Sequence, residues 1–381
     1  MKSLIYKMDL ASKIKKVNRI VIKIGSALLV DQETDRINKE WLTSLADDIG
    51  VLRRRNQDVV IVSSGAIALG RRQLGLPAGR LNLRESQAAA ATGMVRLASV
   101  YQDVLGNQNL SIAQVLLTLD DSENRRRYIN ARNTLETLLK LSVVPLINEN
   151  DTVATDEIRF GDNDRLAARV AAMVSADLLV LLSHVDGLYD VDPRKNANAK
   201  HISLVENEIT ERILAMAGSE ISSDGSGGMV TKLEAGRIAM SAGTHMIISD
   251  GVGHSPISRI EAGALCTWFV PQANPKTARK SWISSSLNPA GTVIVDKGAL
   301  IALGKGKSLL PAGVISVNGR FERGDLIIVK SPDGLEVARG LVAYSSRDAQ
   351  KIIGHKTNEI GVILGYRGRD ELIHRDDLVL S

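Results

Sequence analysis

Residues 225–232, Gly225-Ser226-Gly227-Gly228-Met229-Val230-Thr231-Lys232, set a glycine-rich stretch directly before a lysine, and a helix-like run from Leu233 to Ser241 follows. Glycines let backbone N–H groups close on an anion, a helix N-terminus adds the positive end of its dipole, and the lysine adds a full charge. That combination suits phosphate. It is not a Walker A loop, because the G-x-x-x-x-G-K-[ST] spacing is absent. Taken alone, the stretch reads equally well as a Gly/Ser-rich surface linker. A second lysine–glycine pair far upstream, Lys23-Ile24-Gly25-Ser26, tips the balance. A lysine at a strand end is rigidly placed, and Gly25 permits close backbone approach to a ligand; on its own, such a lysine is more often a solvated edge residue. Two lysines plus helix N-termini counter the repulsion between two anions and stabilise charge developing in phosphoryl transfer.

Three further stretches carry polar chemistry. Ser63-Ser64-Gly65-Ala66 follows a buried run and opens an alanine-rich helix. Its N–H groups and hydroxyls suit a carboxylate or phosphate, and a plain helix cap explains it as well locally. Asn148-Glu149-Asn150-Asp151 and Gly161-Asp162-Asn163-Asp164 together supply four acids and three amides. Turn or capping duty explains any one of them; the whole set, at sheet C-termini, indicates a polar site that holds an ammonium or aims the lysines. Asp186-Gly187-Leu188-Tyr189 and Asp192-Pro193 form a turn-rich loop that either borders a nucleotide base or is purely structural. The six histidines show no metal-ligand spacing, so no protein metal site is expected, and no G-x-S-x-G elbow occurs. A carboxylate acceptor is already ionised at neutral pH, so it needs no general base.

Alternating strand and helix signals position these groups. Strand-like runs occur at Arg19–Ile24, Asp58–Val62, Ile112–Leu117, Val143–Ile147, Leu178–Leu182 and His245–Ser249, with helical runs at 38–55, 85–105, 125–140 and 232–242. The pattern predicts an α/β fold, a mostly parallel sheet sandwiched by helices, with chemistry beyond the strand C-termini after Ile24, Val62, Ile147 and Leu182. Pro271, Pro275, Pro289 and the triple serine Ser284 to Ser286 predict a linker over 271–288. Beyond it, glycine-punctuated runs at 291–295, 313–317, 325–329, 335–341 and 360–364 predict a small β-barrel-like domain over 289–368, with a tail at 369–381. Residues 1–15 read as an N-terminal extension and 16–270 as the main domain.

Composition agrees with this plan. The 381 residues exceed one ordinary domain, and 44% hydrophobic content with only 3% aromatics predicts aliphatic, alanine-rich cores. The single cysteine, Cys266, excludes an internal disulfide framework and reads as a buried structural thiol in a reducing compartment. No secretory signal or run long enough to span a membrane is found, so a cytoplasmic protein is expected. The net charge of +5 does not signal nucleic acid, and residues 283–381 carry only +2. Arg367 and Arg369 beside Tyr366 form a local basic patch, read as a solvated surface.

Taken in order, the motifs at Lys23–Ser26, Ser63–Ala66, Asn148–Asp151, Gly161–Asp164 and Gly227–Lys232 resemble the amino acid kinase family, and within it the branch acting on glutamate. The C-terminal region resembles a PUA domain, with Ser308–Gly313 and His374–Asp377 as markers. The resemblance implies ATP-dependent phosphorylation of the L-glutamate γ-carboxylate, with Mg2+ on the nucleotide phosphates. It implies that Lys23 and Lys232 contact the transferring phosphoryl group and that Asp162 orients both. It assigns Ser64, Asp151 and Asn163 to glutamate, and Lys23, Ser183, His184, Ser226, Gly227, Gly228, Met229, Val230, Thr231 and Lys232 to ATP. It also implies proline feedback inhibition, a homodimer or homotetramer, and hand-over of product to glutamyl phosphate reductase. The family often has Thr-Asp where this chain has Ser183-His184, so a nucleotide contact passes in expectation to Asp186. PUA domains elsewhere bind RNA; the weak basic excess argues for a structural or regulatory role here, without nucleic acid.

Overall fold

The computed structural model describes residues 12–31, 36–77, 79, 81–153, 163–217, 228–285 and 289–381. It divides into two compact units: Met1–Glu123 with Asn130–Pro275, and Asn124–Ile129 with Lys276–Ser381. No helix among the described residues is long and apolar enough to cross a membrane.

The first unit is built on strands β1 (Arg19–Ile24), β2 (Asp58–Ser63), β3 (Ile112–Leu117), β4 (Val144–Glu149), β5 (Leu178–Ser183), β6 (Leu204–Asn207), β7 (His245–Asp250) and β8 (Cys266–Pro271). They form one sheet in the order β3-β4-β2-β1-β5-β7-β8-β6. The first six in that order are parallel, and β8 runs antiparallel to β7. Central strands buried on both faces read as continuous aliphatic runs, which is why RIVIKI, DVVIVS and LLVLLS are strands. Asp177, just ahead of β5, accepts hydrogen bonds from the Asn18 and Arg19 N–H groups at 2.7 and 3.0 Å, so the entry to β1 is tied to β5.

The helices of this unit include α1 (Lys39–Arg54), α2 (Ala66–Gln73), α3 (Leu83–Gly106), α4 (Arg125–Lys140, its first residues in the other unit), α5 (Asn163–Met173) and α6 (Met229–Ser241). Ile20, Ile22, Ile24, Val59 and Ile61 face one core with Trp41, Leu45 and Ile49 of α1 and Leu97 and Tyr101 of α3. Side chains alternate along a strand, so Lys23 projects to the opposite face from Ile22 and Ile24. Helices α2 and α3 pack so closely that a Cβ at Gly70 would lie 1.7 Å from the Ala89 carbonyl oxygen and one at Gly93 1.8 Å from that of Ala66. Cys266 sits at the start of β8, half-buried against the core.

In the second unit, α7 (Pro275–Ser285) occupies much of the segment read as a linker. The sheet comprises β9 (Gly291–Val295), β10 (Val314–Gly319), β11 (Leu326–Lys330), β12 (Glu336–Leu341) and β13 (Leu378–Leu380), in the order β10-β9-β11-β12-β13. Only the β9–β11 pair is parallel. The tail thus supplies an edge strand. Val293, Val295, Phe321, Ile327, Val329 and Ile373 form its core. The run at 360–364, read as a strand, belongs instead to helix α8 (Thr357–Leu364). Glu359 caps it by accepting the Lys356 N–H at 2.7 Å, and Gly365 ends it at φ +76°. Local capping outweighs the β-branched bias of Ile360, Val362 and Ile363.

Candidate active site

Register places the strand ends side by side. Ile24 pairs with Ser63 on one flank and Leu182 on the other, and Ile147 pairs with Val62. The loops expected to carry chemistry therefore leave the sheet at one edge. Lys23, one residue before the end of β1, is only 8% exposed. Its Nζ lies 2.5 Å from Oδ1 of Asp164, in the first turn of α5. Lys232, in the first turn of α6, places its Nζ 3.0 Å from the other oxygen, Oδ2, of the same carboxylate. Thr231 donates to the Gly228 carbonyl at 2.8 Å and approaches Asp164 Oδ2 at 3.5 Å. Two lysines separated by more than two hundred residues thus meet on one buried acid.

Asp164 has no exposed surface. Burial alone would raise its pKa, but the ammonium of Lys23, then that of Lys232, hold it well below the usual carboxylate range. The acid stays ionised and each lysine has a fixed partner. Asp162, expected to orient both lysines, lies outside the described residues, as do Ser226 and Gly227. Asp164 stood in the same Gly-Asp-Asn-Asp stretch, two positions on, and spacing alone gave no ground for preferring it.

A second polar group adjoins through Asn163. Its Nδ2 donates to the Ser63 carbonyl at 2.7 Å and to the Ser64 hydroxyl at 3.1 Å. Asn148 at the end of β4 donates to the same Ser63 carbonyl at 2.8 Å. The Ser63 hydroxyl shares a hydrogen bond with Tyr101 at 3.0 Å. Ser64 and Asn163 are therefore brought together, and Asn148 and Tyr101, which the sequence did not assign, hold the loop that carries Ser64. Gly65, at φ +103°, turns the chain from β2 into α2.

Asp151 lines a cavity of about 260 Å³ with Glu149, Asn150, Thr152, Gln114 and an apolar wall that includes Ala90 and Met94. Burial pushes its carboxyl up to about 6. Ser183 ends β5 beside Asp250, and His184 is exposed on the loop beyond. Asp186 accepts a hydrogen bond from the Tyr189 hydroxyl at 3.0 Å. Gly228 is the N-cap of α6 and supplies no side-chain cap, so the first N–H groups of that helix have no side-chain acceptor from the cap residue.

Comparison with known proteins fits this arrangement. Residues 18–250 match the model of the amino acid kinase family, and residues 291–364 match that of the PUA domain. A glutamate 5-kinase of Paramagnetospirillum magneticum is 59% identical over 97% of this chain and 100% of its own length. Glutamate 5-kinases of Nitrobacter hamburgensis and Brucella ovis are 56% and 57% identical, each over 97% of both chains. A two-lysine, one-carboxylate centre at the C-terminal edge of a parallel sheet, a match over most of the chain and this level of identity lead to one assignment: the chain belongs to the amino acid kinase family, in its glutamate 5-kinase branch, with a C-terminal PUA domain.

Proposed function

We propose that the protein transfers the γ-phosphoryl group of ATP to the γ-carboxylate of L-glutamate, forming L-glutamyl 5-phosphate and ADP, the first step of proline synthesis. The observation that carries this reading is the single carboxylate of Asp164 shared by Lys23 and Lys232. In phosphoryl transfer a carboxylate oxygen bonds to the γ-phosphorus while the bond to the β,γ-bridging oxygen breaks. Both partners are anions and no proton has to move, so placed positive charge is the main requirement. Lys23 and Lys232 supply it, and Asp164 keeps them aimed. The N–H groups at the start of α6 suit the nucleotide phosphates.

Ser64, held by Asn163, and Asp151, at the cavity wall, suit the acceptor amino acid. Asp151 is placed to answer its ammonium. Ser183, His184 and residues 226–232 remain the proposed nucleotide contacts. Among the described residues no trio of acid, histidine or cysteine ligands is close enough to hold a metal ion. Mg2+ would be carried on the nucleotide phosphates, where it would offset their charge. Proline as a feedback inhibitor, a homodimer or homotetramer, a cytoplasmic location and delivery of product to a reductase complete the proposal.

Hydroxamate formation from glutamate, ATP and hydroxylamine tests it. Wild type should give product, and Lys23→Ala and Lys232→Ala should each lose roughly 10²-fold or more of turnover while keeping the wild-type circular dichroism spectrum. Product from aspartate or N-acetylglutamate with none from glutamate would transfer the chain to another acceptor.

A further inference from the structure

Helix α3 meets the acceptor side of the site in two places. Ala90, Met94, Leu97 and Tyr101 recur at helical spacing and form one buried stripe along it. Ala90 and Met94 stand in the wall of the Asp151 cavity. Tyr101 lies further along the same stripe and is fully buried against the end of β2. Ser63, the last residue of that strand, pairs in register with Ile24. Its side chain therefore shares the Ile24 face of the sheet, opposite Lys23. The Ser63 hydroxyl and the Tyr101 phenol oxygen are 3.0 Å apart, and neither residue has exposed surface.

The partners fix the direction of this bond. The Ser63 hydroxyl has one hydrogen and donates it to the Ser64 carbonyl at 3.1 Å. It therefore receives the phenol hydrogen, which has no other acceptor among the described residues. Burial raises the phenol pKa above its ordinary value, so the group stays a donor. The rest of the turn is equally committed. The Ser63 carbonyl accepts from Asn148 at 2.8 Å and from Asn163 at 2.7 Å, and the Ser64 N–H donates to the Ile24 carbonyl at 3.2 Å. The Ser64 hydroxyl accepts from Asn163 at 3.1 Å, so its own hydrogen points elsewhere, and among the described residues no acceptor takes it. A half-buried hydroxyl with its donor direction set in this way suits a carboxylate oxygen.

We propose that Tyr101 is a positioning residue for acceptor binding: by donating to Ser63 it locks the Ser63–Ser64 turn, so that the Ser64 hydrogen is aimed at a carboxylate oxygen of the acceptor amino acid. The inference rests on the kinase reading and adds to it a residue that touches no substrate. Tyr101 lies on the face of the sheet away from Lys23, so its loss acts on acceptor capture and leaves the phosphoryl-transfer lysines in place. Phenylalanine keeps the ring and its packing and removes only the donor.

Hydroxamate formation with glutamate and ATP varied in turn is the test. Tyr101→Phe should raise KM for glutamate about fivefold, the worth of one neutral hydrogen bond, and change KM for ATP and kcat by less than about twofold. Ser63→Ala removes the same relay from the other end and should give the same split. Because both act through one bond, the double variant should be no worse than either single one. Should Ser63→Ala, which leaves the phenol hydrogen unpaired, fail to fold, Tyr101→Phe alone still reads the split. An unchanged KM for glutamate in Tyr101→Phe, equal rises in KM for both substrates, or additive effects in the double variant would each overturn the inference while leaving the kinase reading intact. A wild-type chain that forms no glutamyl hydroxamate would instead remove that reading, and this inference with it.

Discussion

Asp164 neutralises two ammonium groups with one charge, so the trio carries a net positive charge in a place with almost no solvent. Replacing Asp164 by Asn keeps its size and removes the neutralising charge. Turnover should fall roughly 10²-fold. Removing the carboxylate that both buried lysines share should also cost about 3 kcal/mol of stability, read from the urea midpoint. Because the folded-state pKa of Asp164 is depressed, its stabilisation is complete above the unfolded value near ~3.9 and is lost as pH falls through the lower folded value. Asn at 164 should remove that part of the acid sensitivity; an unchanged acid profile would contradict the assignment. Asp151 has the opposite sign. Its folded pKa of about 6 is raised, so this acid favours the folded state most below the unfolded value and loses that advantage as pH rises through 6. Substrate capture by its anion runs the other way: kcat/KM for glutamate should drop tenfold per pH unit below about 6, and in Asp151→Asn should be low and flat across that range. The sequence made Lys23 and Lys232 legible only as a pair, because either alone reads as a solvated edge or linker residue whereas two lysines near glycine-bearing turns answer two anions. It could not single out Asp164 within Gly161-Asp162-Asn163-Asp164, since spacing does not show where α5 begins or that Asp164 meets both lysines.

At the scale of elements, the central strands were readable because burial on both faces demands unbroken aliphatic runs. Strands β6 and β8 were not, because LVEN is only four residues long and half polar, and CTWFVP mixes polar, aromatic and proline residues. Helix α8 was misread because its composition favours strands while its caps favour a helix. The contact of α2 with α3 was also hidden, since a glycine in an alanine-rich helix gives no sign of what it touches. Gly93→Ala tests that contact. Alanine gains up to ~1 kcal/mol of helix propensity over glycine. The new Cβ would sit 1.8 Å from a backbone oxygen, which cannot rotate away as a side chain would. The clash should win, with a net loss of roughly 1–3 kcal/mol in the denaturation midpoint. A more stable Gly93→Ala protein would show that the two helices separate freely.

At the scale of the whole molecule, the described residues contain apolar clusters that share no member, one around β1, β2, α1 and α3 and another around β9 and β11. Separate cores predict separate melting. Scanning calorimetry should resolve two transitions, and glutamate with a non-hydrolysable ATP analogue should raise only one of them. A single transition that shifts as a whole would refute independent melting. The sequence anticipated two bodies from the change in texture near Pro271, but it placed the division in one stretch of chain. The fold divides it otherwise, because residues 124–129 group with the C-terminal unit. This has a practical consequence for anyone building chimeras. Exchanging residues 276–381 for the equivalent region of a relative would leave Ile129 facing a foreign surface in place of Gly324. The hexapeptide at 124–129 has to travel with the transplanted domain, as a second, non-contiguous piece of the same graft.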